Sequence, residues 1–297
     1  MRRLAAALVT LALLAAAPPG TDALTLRDML GRDVTLPASP ARIVSLVPSV
    51  TEVMYALGGQ HLLVGRTDYC DFPPAAASRP SVGGMINPSL ERIVGLKPDL
   101  VVATDEGNRE ETIQQLRRLG LPVYLVHATR VSEMLQMIER VGEVTGRTAA
   151  VPALVAQITR RIEAVKTAVR PFPPQRVLYV LWPDPLIVPG RQAHLTEMIE
   201  LAGGRSITAD DGEAYPRFSL EAAVARAPEV IILADHAGGG SSAGKASPEK
   251  WQRLTSVPAI KAGRIHSVDL GVLHRYGPRV ADGLEILARI IHPEAFR

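Results

Sequence analysis

The sequence predicts an α/β fold made of two lobes, each a parallel sheet with helices on both faces, joined by one long helix. Three observations carry this. Strand-like and helix-like segments alternate along the chain, one block of that pattern recurs at a fixed distance, and an unbroken helical stretch lies between the two blocks.

The elements follow in order from the N-terminus. Arg2 and Arg3 precede an uncharged apolar run from Leu4 to Ala17, and small or breaker residues follow through Ala23. This is the layout of a secretory leader over residues 1–23, with Thr21-Asp22-Ala23 as the cleavage segment. The run is too short for a spanning helix, which needs ~20 apolar residues. No Cys follows it to carry a lipid, so a free, soluble chain in a periplasm is expected. Losing Arg2, Arg3 and Asp22 lowers the net charge from +3 to +2. With no basic run and few aromatics, nothing points to nucleic acid. Cys70 is the only cysteine, so no internal disulfide supports the fold.

After the leader, the expected N-terminal lobe spans residues 24–147. A strand near Ile43 to Leu46 leads into a helix at Thr51-Glu52-Val53-Met54-Tyr55-Ala56-Leu57, closed by Gly58-Gly59. Thr196-Glu197 through Gly203-Gly204 echoes that helix. A clearer echo pairs Ser89-Leu90-Glu91, Pro98 and Leu100-Val101-Val102-Ala103 with Ser219-Leu220-Glu221, Pro228 and Val230-Ile231-Ile232-Leu233, at an offset of 130 residues. In each copy Ser is an N-cap, a short helix stops before Pro, and a β-branched buried strand follows. Leu121 to Val126 and Gly263 to Val268 form a fainter third pair of strands. The repetition predicts a duplicated unit.

Residues 148–170 are the expected connecting helix. Leu154, Ile158, Ile162 and Val165 fall at helical spacing, and Pro171-Phe172-Pro173-Pro174 ends the segment. A helix of this length spans ~30 Å. It stiffens the link to the second lobe, residues 171–297, and leaves a cleft between lobes as the default ligand site.

Enzyme signatures are absent: no nucleophile elbow, Walker loop, dinucleotide fingerprint or His-Glu-x-x-His stretch occurs. No catalytic residue is expected. Gly238 to Lys245 follows a strand but lacks phosphate-loop spacing, and reads as a surface loop. The seven histidines are scattered. His127 and His236 follow predicted strands at cleft-facing positions, but no pair has local ligand spacing, so no dedicated metal site is expected.

The loops after strands carry the binding candidates. They are Thr67 to Pro74 with Tyr69, Cys70 and Asp71; Val82 to Pro88 with Met85; and Ala103 to Asn108. In the second half they are Trp182-Pro183-Asp184-Pro185, Tyr215-Pro216-Arg217-Phe218 and Leu273-His274-Arg275-Tyr276. Aromatic and apolar groups with few polar ones make a pocket for a large, flat, amphipathic ligand.

Arg42 to Glu52, Thr67 to Pro74 and Asn87 to Leu100 resemble the helical-backbone class of periplasmic binding proteins, and within it the cobalamin binders. The Asp-Tyr-x-Asp-Phe-Pro-Pro segment carries the closer resemblance. The Leu-Glu-x-Ile-x-x-Leu-Lys-Pro-Asp-Leu segment marks the wider class, which also takes iron-siderophores and haem. The resemblance implies two Rossmann-like lobes on one connecting helix. It implies Tyr69 against the corrin ring, Tyr215 where the cobalamin binders carry a cleft Trp, and Arg275 near the ligand's amide side chains. It also implies that Glu91 and Glu221 dock on arginines of an ABC permease dimer. Met85 and Thr104 stand where those binders carry Trp, a departure that Trp182 is expected to offset from the second lobe.

The expected function is therefore a monomeric, non-enzymatic receptor that delivers cobalamin, a cargo rather than a cofactor, to an ABC importer. Its binding residues are Tyr69, Cys70, Asp71, Met85, Asn108, Trp182, Tyr215 and Arg275. An iron-siderophore or haem receptor is the alternative within the class, with Arg66, Arg191, Arg217 and Arg275 available to an anionic chelate. An exported enzyme or chelatase is the alternative outside it, drawing on Asp68, Asp71, Asp105, Glu106 and His274.

Overall fold

A computed structural model describes residues 23–235 and 251–297. Residues 1–22 of the expected leader, His236 and the Gly238 to Lys245 loop lie outside the described residues. The chain opens with an antiparallel hairpin, β1 (Ala23–Arg27) and β2 (Asp33–Pro37), which the sequence reading did not anticipate and which begins at the last residue assigned to the leader. Val34 and Leu36 turn inward at a spacing of two. The hairpin is pinned where the Tyr124 hydroxyl donates to the Arg27 carbonyl and the Met29 N–H to that of Leu125.

The first lobe runs β3 (Ile43–Ser45), α1 (Pro48–Ala56), β4 (Leu63–Arg66), α2 (Leu90–Gly95), β5 (Leu100–Thr104), α3 (Glu110–Arg118), β6 (Val123–Val126) and α4 (Val131–Val144). Helix α5 (Val151–Val169) crosses to the second lobe. Its 19 residues span about 28 Å. There follow β7 (Gln175–Val180), the small hairpin β8 (Trp182–Pro183) and β9 (Leu186–Ile187), α6 (His194–Leu201), β10 (Gly204–Ser206), α7 (Leu220–Ala225), β11 (Val230–Asp235), α8 (Pro258–Lys261), β12 (Ile265–Asp269), α9 (Leu270–Leu273) and α10 (Val280–Ile291). The sheets have orders β4-β3-β5-β6 and β10-β7-β11-β12, and their strands pair in parallel. The two lobes therefore share one topology, and β10 completes a copy whose edge strand was not recognised in the sequence.

The echo is visible in atomic detail. Ser89 Oγ accepts the Arg92 N–H and Ser219 Oγ accepts that of Ala222, capping α2 and α7. Lys97 and Ala227, the residues before Pro98 and Pro228, both take φ of 47°. At each turn an arginine covers the carbonyls that the helix end leaves open. Arg42 Nε reaches the Lys97 carbonyl at 3.0 Å, and Arg176 Nε reaches that of Ala227 at 2.9 Å. Asp99 and Glu229 then accept the backbone N–H of those same arginines.

Each sheet is buried on both faces, as parallel sheets are. Val101 and Ala103 face an outer cluster with Ile93, Ile113 and Leu116, while Ile231 and Leu233 face another with Ala223 and Trp251. The inner faces are joined. One cluster runs from Leu100 and Val102 through Val53, Met137 and Ile138, along Ile158, Ile162 and Val165, to Tyr179, Ile199 and Leu287. The lobes share one continuous core along α5.

Candidate functional site

The strand ends of both sheets face a cleft whose floor is a cavity of about 90 Å³. From the first lobe it is lined by Ser49, Met85, Glu106 and His127, and from the second by His274, Arg275 and Tyr276. Two polar systems close it.

The first is a clasp at the cleft mouth. Glu52, five residues into α1, is almost fully buried and receives Arg279 through both carboxylate oxygens, at 2.9 and 2.8 Å. Arg275 Nη1 reaches the same carboxylate at 3.4 Å and also bonds Asp71. The Arg279 guanidinium lies 3.9 Å from the centre of the Phe72 ring. Four charged groups and one aromatic from the two lobes are thus knit together. The Arg275 hydrogen bond holds the Asp71 carboxyl below the usual carboxylate range. Burial works against the Arg275 charge, but Asp71 and Glu52 outweigh it and raise its pKa.

The second system lies behind the cavity. The Tyr276 hydroxyl lies close to Glu106 of the opposite lobe and to Tyr215. Its ring packs edge-on against His194 at 4.5 Å. His194 Nε2 donates to the Leu273 carbonyl at 2.9 Å, so its neutral ring presents Nδ1 as acceptor to the Tyr215 hydroxyl at 3.4 Å. Burial pushes His194 down to about 4, keeping it neutral, and lifts the Tyr215 phenol to about 12. Partial burial raises the Glu106 carboxyl, although the residue keeps an exposed surface.

The expected binding residues separate into groups. Met85 and Arg275 line the cavity. Asp71 sits on Arg275 at the mouth, and Tyr69, on the same loop, is 60% exposed without touching the cavity wall. Tyr215 stands one layer behind Tyr276. Trp182 is half-buried in the β8–β9 hairpin, its Nε1 donating to the Asp184 carbonyl, and it does not line the cavity. Two of the expected residues are buried. Cys70 is fully buried, its Sγ 3.2 Å from Thr67 Oγ1, because the loop turns its apolar side into the lobe; burial also raises the thiol pKa. Asn108 is buried as a brace. Its Oδ1 accepts the Thr104 N–H at 2.9 Å and its Nδ2 donates to the carbonyls of Met85 and Leu46, fixing the loops that shape the cavity. Sequence reasoning missed Glu52 and Arg279. The recurring Thr51-Glu52 and Thr196-Glu197 was the available signal, since Glu197 also crosses the lobe boundary and accepts the Val131 N–H at 2.9 Å.

Away from the cleft, Glu91 and Glu221 are exposed in the first turns of α2 and α7. Exposed Val94 and Leu220 lie on the same two helices. No described helix is long and apolar enough to cross a membrane, and no cluster of three or more His, Cys, Asp or Glu among the described residues could hold a metal ion.

A family model described as periplasmic binding protein matches residues 43–269. Among curated relatives, an uncharacterized ABC transporter substrate-binding lipoprotein of Bacillus subtilis is 30% identical over 92% of this chain and 87% of its own. A vitamin B12-binding protein of Vibrio cholerae is 29% identical over 84% of this chain and 88% of its own. Among solved structures, the periplasmic vitamin B12 binding protein of Vibrio cholerae superposes with a TM-score of 0.74 at 27% identity, covering 87% of this chain and 98% of that one. A periplasmic heme-binding protein from Roseiflexus sp. RS-1 superposes with a TM-score of 0.74 at 28% identity, covering 86% and 98%.

Proposed function

The chain belongs to the periplasmic binding protein family, and from that premise we propose that it captures a cobalamin between its lobes and hands it to an ABC permease. As a substrate-binding protein of an ABC importer it needs no catalytic step of its own. The relatives named for vitamin B12 carry the choice of cargo, at 28–29% identity over 84–86% of the chain. The rim supports it with exposed Tyr69 and Phe72 and half-buried Met85, apolar area suited to a broad ring.

The cavity of about 90 Å³ is smaller than the ~300–1,000 Å³ of small-molecule pockets. A corrinoid has to part the Arg275–Asp71 and Tyr276–Glu106 contacts and spread the rim, and the clasp re-forms around or beside it. Glu91 and Glu221 present a carboxylate twice in near-identical settings, which suits a two-fold partner offering one basic pocket twice. Export through the 1–23 leader places the receptor where such a permease can be reached.

The test is calorimetric titration of the mature protein with cyanocobalamin. Tight one-to-one binding is expected. Absence of heat and of any fluorescence change at high micromolar ligand removes cobalamin and leaves the importer family standing. Haem is the second reading, favoured by the equally close heme-binding neighbour, and the same titration with ferric haem decides it.

A further inference from the structure

One cavity-lining side chain is left unused by the reading above. His127 follows β6, and its Nδ1 stands 3.0 and 3.1 Å from the two oxygens of Asp105. A carboxylate only accepts, so Nδ1 carries a hydrogen and Nε2 is the nitrogen left to bind a metal; against its burial, the carboxylates around the ring raise its pKa, so a metal competes with a proton at Nε2. No described residue bonds Nε2. Asp105 is itself on a braced loop, with the Thr104 N–H held by Asn108 and the Glu106 N–H donated to Thr104 Oγ1. An imidazole oriented through one nitrogen by a carboxylate, with the other nitrogen open to a cavity, is the arrangement proteins use to present a metal ligand.

Resting on the receptor reading, we propose that His127 Nε2 is a protein donor to the metal centre of the cargo, a transition-metal macrocycle with an exchangeable axial position, and that Asp105 is its positioning residue. A single donor suffices only for a metal whose other positions the macrocycle already fills. That fits the lack, among the described residues, of any cluster able to hold an ion alone. The charge around the ring points the same way. Asp105, Glu106 and Glu133 all bear on His127, while Arg275 and Arg279 are committed to Asp71 and Glu52. That wall opposes an anionic chelate and favours a centre carrying positive charge. The step is a ligand exchange: the axial metal–water bond breaks and water leaves, a protonated ring gives its Nε2 proton to solvent, and the Nε2 lone pair forms the new bond, with no electron gained or lost.

The experiment compares three probes on the mature protein: aquacobalamin, whose axial water exchanges; cyanocobalamin, whose axial cyanide blocks; and ferric haem. Visible spectra report axial ligation and calorimetry reports affinity. The expected result is a shifted aquacobalamin spectrum that is lost in His127→Gln and His127→Ala, with aquacobalamin binding weakened at least tenfold more than cyanocobalamin binding. Asp105→Asn weakens aquacobalamin about 10–100-fold, the usual effect of removing such a positioning carboxylate. Cobalamin binding with an unshifted spectrum, or a shift that survives both His127 variants, overturns the inference and leaves the cobalamin reading intact. A His127-dependent shift with ferric haem alone supports the donor and overturns cobalamin as cargo. Binding of none of the three overturns both.

Discussion

Replacing Glu52 by Ala removes the centre of the clasp at the cleft mouth. Its side chain is 2% exposed, and those of Arg275 and Arg279 are 16% exposed, so the pair is a buried one. Deleting one partner of a buried ion pair costs roughly 3–5 kcal/mol, because the other charge is stranded. Here the stranding is partial. Arg279 keeps the Gly271 carbonyl and the Phe72 ring, and Arg275 keeps Asp71. The low end applies, about 3 kcal/mol, which in a chain of this size lowers the melting temperature by roughly 6–12 °C. Thermal unfolding of the mature protein followed by circular dichroism measures it. A double-mutant cycle with Arg279→Ala isolates the coupling, expected above about 1 kcal/mol. Asp71→Asn is the control: that side chain is 63% exposed, and its pair is worth only ~0–1 kcal/mol. A drop below about 2 °C for Glu52→Ala, or a larger loss for Asp71→Asn, refutes the claim that burial makes Glu52 the keystone.

Three other outcomes are expected. His194 is neutral in the fold, at about 4 against an ordinary 6.5, so its contribution is present above pH 6.5 and is lost as pH falls toward 4. The loss is about 2.5 kcal/mol between pH 7.5 and pH 4.5, read as the fall in urea midpoint, and an equal fall in His194→Gln counts against the assignment. Glu91→Ala combined with Glu221→Ala should abolish uptake of the cargo while leaving affinity in the isolated receptor unchanged; normal uptake sinks the docking role. Cys70 should resist a soluble thiol reagent in the native protein and react once urea unfolds the chain, and stoichiometric labelling of the folded protein contradicts its burial.

Local chemistry made much of the fold readable. Ser89 and Ser219 act as caps because their oxygens sit three residues before unsatisfied N–H groups, and Pro98 and Pro228 stop the helices they follow. These are short-range rules, visible in any window of ten residues. The cleft was readable only as a set of loops. Which side chain on a loop faces inward depends on the turn it makes, and Cys70 and Asn108 both turned into structure. Glu52 and Arg279 meet across 227 residues of chain. No periodicity or cap announces such a pair, and Glu52 has the same local setting whether or not a guanidinium waits opposite. His127 was noticed beside a strand, but its partner Asp105 lies on the neighbouring strand's loop, so only the β5–β6 pairing brings them together.

Glu52 on α1 reaches toward the start of α10, and Glu197 on α6 reaches the start of α4. The helices correspond: α6 echoes α1, and α10 holds in its lobe the place α4 holds in the other. Each half therefore grips its counterpart with the same residue at the same kind of helix end. That reciprocity, in which a contact from i to j recurs from j to i, is the rule of an isologous dimer interface. The molecule is organised as a homodimer written into one polypeptide, with α5 as the tether that fixes its stoichiometry. Such a tether frees the two sides from being identical. One side keeps a bare carboxylate on a helix terminus, while the other has gained two arginines and a neighbouring aromatic. Asymmetry of that kind gives the cleft two chemically distinct jaws, the general requirement for telling one end of an unsymmetrical ligand from the other.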